Sequence, residues 1–535
     1  MKTSQKDNFV ELNGNDLTIE DIVKIGIGDK KVKIDPLALA RCKASRDFLE
    51  SEIATKPIIY GVNTSFGPMC NKIINDDEIE TLQRNLIISH AAGLGDPLKP
   101  YIALAVIVVR LNTLLKGYSA VRLELIEYLK KLINYGIAPY IPECGSVGAS
   151  GDLIHLAHMS LLVLGEGQAY YKGKLCSTEE ALNAVGMSPL KLSYKEGLAL
   201  INGTAAMTAI SAFVLFSAKK LLNIACTTAA FGIEIFGGID DALDVDLHNV
   251  KPHPGQIHIA DMIRKLCAES KSIKKREKMH ELIRNQAGDS EQAVYETSIE
   301  VQDVYSIRCS PQVLAPVYET IEFVTKTVEI EANSTNDNPV VIPEKKKIIH
   351  GGNFHGQSIG FGMDTLGMAI SVLCNLSERR INKLLDKSLS GDLPEHLIPG
   401  TVGLTMGFMG AQYLATSTTA ENRHLANPVN IHSISCNCSN QDVVSMGTIA
   451  ARKAYKLVSN AKHILTLEIL CDMQAFYFRG TEKLGKGTKE IYDILGEHFE
   501  VYDNTRIIHN DLVKFRKLLF SSQIFDDLTV YTRSY

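Results

Sequence analysis

Residues 198–218 read LALINGTAAMTAISAFVLFSA, an uncharged stretch of 21 residues that decides the fold class. An apolar helix of this length could cross a bilayer. Asn202, Thr204 and Thr208 interrupt the stretch, however, and we find no second stretch that resembles a membrane span. A helix that is apolar on every side is typical of the centre of a large helical bundle. We therefore expect a buried core helix here and no association with a membrane.

The sequence on both sides of this stretch also favours helices. Strand-like alternation is short and local, as in residues 31–34 and 347–349. We predict a mainly α-helical fold, in which a smaller, loop-rich N-terminal part (1–210) precedes a long helical bundle (211–535). Apolar residues recur at three- and four-residue spacing in seven windows: 37–52, 77–92, 101–115, 122–135, 321–331, 360–385 and 446–475.

Composition places the chain among soluble globular proteins with a large core. Hydrophobic residues make up 45% and charged residues 22%, with both signs mixed and a net charge of -5. This balance argues against a nucleic-acid-binding protein and against a disordered chain. The eleven cysteines are scattered without a Cys-x-x-Cys pair, which favours a reducing compartment. Residues 1–13 are polar and lack a secretory signal pattern, so we expect a cytoplasmic protein.

The most informative interruption of the helical pattern is the segment GSVGASGD at residues 145–152. Its three glycines permit positive φ angles and close backbone approach. A phosphate-binding loop would need Lys-Ser/Thr after the last glycine. A nucleophile elbow would need Gly-x-Ser-x-Gly, whereas Gly151 follows Ser150 directly. A further interpretation is a helix N-terminus, in which Asp152 caps the apolar run 153–164.

That interpretation leaves Ala149-Ser150-Gly151 unexplained, whereas a backbone reaction explains it. In a strained turn the Gly151 nitrogen can attack the Ala149 carbonyl carbon, and loss of two waters then gives a methylidene-imidazolone. Small flanking residues are needed because the backbone must be compressed. The exocyclic methylidene is an electrophile that no standard side chain supplies, and it can turn an amine into a better leaving group.

The segment resembles the prosthetic-group loop of the histidine, phenylalanine and tyrosine ammonia-lyases and of the related 2,3-aminomutases. The resemblance implies a carbon–nitrogen lyase or a closely related aminomutase, whose methylidene-imidazolone forms autocatalytically without any external cofactor. It also implies a helical bundle in a homotetramer with shared active sites. The resemblance covers residues 10–479 and rests on seven motifs in the family's order: YGVNTSFG (60–67), GASGD (148–152), LINGT (200–204), YSIR (305–308), NDNP (336–339), GNFHG (352–356) and NQDV (440–443).

The same resemblance implies a role for individual residues. Tyr60 would be the general base, on a loop that closes over the substrate. Arg308 would hold the substrate carboxylate through two parallel hydrogen bonds. The remaining positions would lie beside the prosthetic group or along the pocket, and they are Asn202, Tyr305, Gln302 and Phe354.

Two positions bear on which aromatic amino acid is the substrate. Ser89-His90 occupies the family's selectivity position, and an imidazole there can bind either another imidazole or a phenol. Histidine lyases carry Gln-Glu-Asp-His where this chain has Asn-Gln-Asp-Val, so a neutral Gln441 replaces their glutamate. On this basis we expect elimination of ammonia from L-tyrosine to give p-coumarate. The alternatives are a histidine ammonia-lyase that produces urocanate, and a tyrosine 2,3-aminomutase.

Other classes of function have weaker support. His155 and His158 lie three residues apart on one helix, but no third ligand accompanies them, so we predict packed histidines and no metal site. A serine hydrolase would need Ser150, His155 and Asp152 as a triad, although these residues are too close in sequence to form one. A non-catalytic helical scaffold remains an alternative that the intact mass would test.

Overall fold

The fold of the protein, given by a computed structural model, is described for residues 8–55, 57–287, 294 and 296–532. Of these described residues, 59% are helical when the 3-10 helices are included. In chain order the α-helices are Ile19–Gly26, Pro36–Ile53, Ile79–His90, Pro100–Leu114, Leu123–Tyr135, Leu153–Leu164, Thr178–Asn183, Glu196–Ile201, Ala205–Phe236, Val245–Asn249, Pro254–Leu266, Arg276–Ala287, Tyr305–Arg308, Ser310–Ala332, Gln357–Leu385, Met409–Leu425, Gly447–Arg479, Lys486–Gly496 and Ile508–Ser521. Short 3-10 helices span Gly67–Met69, Asp76–Glu78, Asp240–Leu243, Pro343–Lys345, Glu395–Leu397 and Leu528–Thr532.

The strands form small sheets of two or three strands. Phe9–Leu12 pairs in parallel with Lys31–Ile34, with Phe9 opposite Lys31. The other pairs are antiparallel: Leu94–Pro97 with Pro142–Cys144, Ala138–Pro139 with Gln168–Tyr171, Gln168–Tyr171 with Lys174–Ser177, and Val340–Ile342 with Lys347–Ile349. The predicted mainly α-helical class is therefore confirmed.

Helical periodicity located several long helices, but no window fell on Pro254–Leu266, Met409–Leu425 or Ile508–Ser521, and one window covered only part of its helix. The window 321–331 is the C-terminal part of Ser310–Ala332, a helix that continues through Pro316. Proline lacks an N–H group and normally ends a helical pattern. The window 321–331 was therefore shorter than the helix and left out residues 310–320.

The apolar stretch at 198–218 is divided into two helices. Glu196–Ile201 ends before Asn202-Gly203-Thr204, and Ala205–Phe236 begins after this break. Ala205–Phe236 and Gln357–Leu385 are both long and apolar enough to cross a membrane. The expectation that only one stretch of the chain could do so was therefore wrong. Within their most apolar windows, 78% and 67% of the residues are buried, which is the pattern of core helices in a soluble bundle.

The chain divides into two compact units. The first comprises the residues up to Phe216 together with Phe323–Thr365 and Pro428–Tyr455, and the second comprises the remainder. In the first unit, the helix Pro100–Leu114 is buried at every position from Ile102 onward. The domain boundary expected at residue 210 stays a prediction.

Candidate active site

A cavity of 860 Å³ lies within the first unit. Its wall is built mainly from the loop that begins at Tyr60, the helix Ile79–His90, the loop before Leu153, and the segment 437–444. Several segments that interrupt helices in the sequence therefore meet around one space. The expected site residues on its wall are Tyr60, Ser89, His90, Ala149, Ser150, Asn202, Phe354 and Gln441.

The Ala149-Ser150-Gly151 turn has an unusual backbone conformation. Ser150 has φ +48° and Gly151 has φ +80°. A residue with a side chain at positive φ is strained by about 1 to 3 kcal/mol, and such strain is found at functional sites. The Ser150 hydroxyl accepts a hydrogen bond from Gln441 Nε2 at 3.1 Å, so the serine side chain faces the segment that carries Gln441.

Gly151 packs directly on the backbone of Gly203. A Cβ placed on Gly151 would collide with the Gly203 carbonyl oxygen. The Gly203 N–H donates to the Ser150 carbonyl oxygen at 3.1 Å, and the Asp152 N–H donates to the Gly203 carbonyl oxygen at 2.7 Å. The turn is thus held against the break in the apolar stretch, and only glycine allows this approach.

Asp152 does not cap the helix that it precedes, contrary to the sequence-based expectation. Its backbone, at φ -110° and ψ 40°, is not extended as an N-cap usually is, and its side chain makes no capping bond there. The carboxylate instead accepts the Met207 N–H at 2.8 Å, in the first turn of Ala205–Phe236, and the Thr448 hydroxyl. Complete burial raises the pKa of Asp152 to about 6, although these hydrogen bonds oppose the shift.

Tyr60 lies on a loop whose shape depends on small residues. A Cβ on Gly61, whose φ is +69°, would collide with Leu198 Cδ2, so a side chain there would strain the backbone and displace the Leu198 side chain. The Gly67 N–H donates to the Tyr60 hydroxyl oxygen at 3.2 Å. The ring of His350 meets the Tyr60 ring edge-on, with 6.4 Å between centroids. His350 also lines the cavity; the sequence analysis did not select it, although it lies two residues before the GNFHG motif.

His90 presents one ring nitrogen that is already bonded. Its Nδ1 lies 2.9 Å from the Leu86 carbonyl oxygen, which can only accept, so we assign the proton to Nδ1. In the neutral ring, Nε2 is then a hydrogen-bond acceptor. Within the described residues Nε2 has no partner, and His90 lines the cavity.

Gln302, Tyr305 and Arg308 belong to the second unit and are not among the residues that line this cavity. Tyr305 is 71% exposed. The Arg308 guanidinium lies over the Tyr305 ring, 4.5 Å from its centroid. These three expected site residues are therefore not brought to the cavity of the first unit, and their roles stay predictions.

The two histidines after the loop have packing roles. His155 is buried, its Nε2 bonds the Glu143 carbonyl oxygen at 3.2 Å, and burial lowers its pKa to about 4. His158 Nε2 accepts the Gly93 N–H at 3.0 Å. Neither ring nitrogen of His155 bonds Ser150, because Nε2 bonds Glu143 and Nδ1 has no partner in the described residues, so a serine hydrolase triad is not formed. In the described part of the chain, no cluster of three His, Cys, Asp or Glu side chains could hold a metal ion.

The loop fits a methylidene-imidazolone on two independent observations. Gly148 and Gly151 both lie where a Cβ would collide, with Ser445 and Gly203 respectively, so neighbouring segments pack directly against the backbone on both sides of Ala149 and Ser150. Asn202 is 5% exposed, lines the cavity and has a side-chain oxygen without a hydrogen-bond partner in the described residues. A buried amide oxygen without a partner is costly, and because the ring itself has no N–H group, this oxygen fits an amine bound beside the ring.

Comparisons with known proteins agree with this geometry. A family model described as "Aromatic amino acid lyase" matches residues 17–497. Histidine ammonia-lyase from Treponema denticola is 41% identical over 97% of this chain and 98% of its own length. Among solved structures, tyrosine aminomutase from Streptomyces globisporus is 36% identical with a TM-score of 0.93, covering 98% of this chain and 99% of its own. Histidine ammonia-lyase from Trypanosoma cruzi is 33% identical with a TM-score of 0.87, covering 98% and 96%.

The prediction of L-tyrosine as the substrate was wrong. Relatives that share 40–42% of their residues with this chain over most of its length are named histidine ammonia-lyases. The prediction rested on the neutral side chain of Gln441, read as a mark of the tyrosine and phenylalanine enzymes. In the structure the Gln441 amide donates a hydrogen bond to Ser150. The neutral side chain therefore contacts the Ala149-Ser150-Gly151 loop, and its identity does not indicate which aromatic ring the substrate carries.

Proposed function

The chain belongs to the aromatic amino acid lyase family, and we propose that it is a histidine ammonia-lyase, which eliminates ammonia from L-histidine to give urocanate. The observation that carries the proposal is the name shared by relatives 40–42% identical over nearly the whole chain. A carbon–nitrogen lyase needs an activator for the amine, a base for the β-proton and groups that bind the substrate. The residues around the cavity can supply most of these.

The activator would be a methylidene-imidazolone built from Ala149, Ser150 and Gly151, an electrophile that makes the substrate amine a better leaving group. Asn202 and Gln441 are the side chains that lie beside this group on the cavity wall. The amide of Gln441 bonds the Ser150 hydroxyl, which leaves when the ring forms, and the unpaired oxygen of Asn202 could accept a hydrogen bond from the ammonium group of the bound substrate. No external cofactor is required in this scheme.

Tyr60 would remove the β-proton of the substrate, because its hydroxyl lies on the cavity wall and accepts the Gly67 N–H. His90 would recognise the substrate ring. The imidazole of histidine has one N–H donor when neutral, and His90 Nε2 is an available acceptor.

We further propose a homotetramer in which Gln302, Tyr305 and Arg308 complete the site of another subunit. Tyr305 is largely exposed although it is a large aromatic residue. The helix Gln357–Leu385 exposes Phe361 and Met368, which lie seven residues apart and so share one helix face. Exposed apolar residues on one face mark an interaction surface, and symmetric association is the usual way to cover it.

The direct test is to incubate the purified protein with L-histidine and no added cofactor, and to follow urocanate by its ultraviolet absorbance. L-tyrosine and L-phenylalanine serve as comparison substrates, and the β-amino acids are quantified to detect aminomutase activity. We expect urocanate to dominate, and Tyr60→Phe to reduce the rate by at least about a hundredfold. Preferential release of ammonia from tyrosine, or a β-amino acid as main product, would refute the proposal.

The shared site is tested by complementation. Ser150→Ala removes the electrophile and Arg308→Ala removes the carboxylate partner, so each variant alone should be inactive. When the two variants are produced together, mixed tetramers contain some sites with both wild-type residues, and activity should return. Two Ser150→Ala copies produced together are the control. Absence of recovery in tetramers shown to be mixed would contradict sites shared between subunits.

A further inference from the structure

Gly203 is packed between the electrophile-forming loop and two buried side chains. On one side, Gly151 lies against the Gly203 carbonyl. On the other side, a Cβ placed on Gly203 would lie 2.6 Å from both Arg110 Nη1 and Asn336 Oδ1. The loop therefore packs on the Gly203 backbone, and that backbone packs on Arg110 and Asn336.

Arg110 connects the chain on both sides of Gly203. It is 1% exposed. Its Nη2 donates to the Ala199 carbonyl oxygen, and its Nη1 donates to Asn336 Oδ1 at 2.9 Å. Asn336 Nδ2 donates to the Thr204 hydroxyl oxygen at 2.8 Å. One guanidinium thus holds the residues before the break directly and those after it through Asn336.

The charge of Arg110 is not neutralised by a contacting carboxylate among the described residues. The nearest acids that act on it are Asp337 and Asp152, and Asp337 is bonded to Lys195 Nζ at 2.5 Å. Burial lowers the pKa of Arg110 to about 10, so the group remains charged at neutral pH. Burying a cation in this way opposes stability, so a stabilising ion pair does not account for the residue. The planar guanidinium presents its N–H donors in a fixed arrangement, so it can donate to a carbonyl oxygen and to an amide oxygen at the same time. This geometry explains why an arginine occupies the position.

We propose that Arg110 is a positioning residue for closure of the electrophile ring, acting through Ala199 and Asn336 on the Gly203 peptide. This inference rests on the proposed function, because it concerns how that function's electrophile is made. In ring closure, the Gly151 nitrogen bonds to the Ala149 carbonyl carbon. The oxygen of that carbonyl leaves as water with the amide hydrogens of Gly151 and Ser150. The Ser150 hydroxyl and α-hydrogen leave as the second water.

A fixed Gly203 peptide favours ring closure because it prevents the Ala149-Ser150-Gly151 turn from moving away. The Gly203 N–H holds the Ser150 carbonyl, and the Gly203 carbonyl holds the Asp152 N–H. If Gly203 moved away, Ala149 to Gly151 could relax out of the compressed turn. The reaction would then lose the orientation on which an intramolecular attack depends.

The test compares the same substitution at two buried arginines of the first unit. Arg110→Lys keeps a charge but loses the fork. Arg46→Lys is the control, because Arg46 is 6% exposed and donates to the carbonyls of Ala120 and Tyr194, although its Nε also pairs with Glu50 at 2.6 Å. The readout is the intact mass of the soluble, folded protein over time after synthesis. We expect Arg110→Lys to lose its two waters at least about tenfold more slowly than wild type, the effect of losing one hydrogen bond to a charged group, and Arg46→Lys to match wild type.

Asn336→Ala is a second, milder variant that removes one contact of Arg110, and a slower loss of water is expected there too. If wild type loses two waters and both folded variants lose them at the wild-type rate, the role of Arg110 is refuted while the proposed function stands. If wild type itself keeps the unmodified mass, the proposed function fails and this inference fails with it. A stability loss alone, with the wild-type rate of water loss, would show that Arg110 is merely structural.

Discussion

Arg110 in the first unit and Arg380 in the second are equally buried, each 1% exposed, yet they are held in different ways. Arg380 donates to Glu468 Oε1 at 2.5 Å and so forms a buried ion pair. Arg110 donates to the Ala199 carbonyl and the Asn336 amide. An ion pair between long helices stabilises their packing, whereas neutral acceptors on a loop and a helix end fix the path of the backbone. The comparison predicts that substitutions near the two arginines will have different consequences.

The largest effect is expected at Gly203, the glycine beside Arg110. Gly203→Ala adds a Cβ that would lie 2.6 Å from Arg110 and Asn336, at a residue whose φ is +141°. Both the collision and the backbone strain oppose folding, and the cost should exceed about 5 kcal/mol or prevent recovery of soluble protein. Soluble yield and urea unfolding measure it. A variant with near-normal stability would show that this packing is loose.

A somewhat smaller effect is expected from Arg380→Leu, which leaves the Glu468 carboxylate buried without its cation. Breaking a buried pair in this way should cost about 4 kcal/mol. Arg379→Leu is the control, because its pair with Glu378 is 58% exposed on the arginine side and should contribute under about 1 kcal/mol. Folded Arg380→Leu protein should still lose two waters. If the folded variant kept the unmodified mass, the proposed difference between Arg380, in helix packing, and Arg110, in ring closure, would be contradicted.

The pH dependence of stability sharpens the description of the first unit. The pKa of Asp152 is raised by burial to about 6, above its ordinary value of 3.8. The stability that comes from protonating Asp152 is therefore complete below about pH 4 and is lost as the pH rises through about 6. Asp152→Asn cannot titrate, so the unfolding free energy of wild type should fall by about 3 kcal/mol relative to it between these limits. An unchanged difference across a pH series of urea unfolding curves would contradict the raised pKa.

The smallest effect is expected at Gly232, the glycine beside Arg380. A Cβ there would lie 3.4 Å from Arg380 Cδ and 3.3 Å from Ile307 Cδ1, a tight contact with side chains that can move. Alanine also favours the helix by about 1 kcal/mol. Gly232→Ala should therefore change the unfolding free energy by less than about 1 kcal/mol, measured beside Gly203→Ala. A large loss of unfolding free energy in Gly232→Ala would mean that Arg380 packs against Gly232 as tightly as Arg110 packs against Gly203.

Much of the fold could be predicted from local pattern. The strands 31–34 and 347–349 and the helix windows 37–52 and 122–135 correspond closely to structural elements because periodicity is a local signal. The cavity wall was predictable for a different reason. Tyr60 and the 149–151 loop lie in motifs with a recognisable order, although sequence does not show that they meet.

Arg110 could not be predicted from sequence. It lies within the apolar helix Pro100–Leu114, where no local pattern marks it, and its partners Ala199 and Asn336 are 89 and 226 residues away. Thr448, which bonds Asp152, is 296 residues away and was missed for the same reason. Polar contacts between segments so far apart depend on tertiary packing, so a single sequence carries no sign of them.

The hydrogen bond from His90 to Leu86 has a consequence for engineering. The same Leu86 carbonyl also accepts the Ser89 hydroxyl at 3.1 Å, and the bond from His90 fixes the orientation of the imidazole at the end of Ile79–His90. Exchanging His90 for an apolar residue to admit a bare phenyl ring would therefore also remove the only side-chain bond that ties position 90 to the helix backbone in the described residues. Leu82, which lines the cavity one turn before Leu86, is a better first position for redesign, since its side chain can change without disturbing that bond.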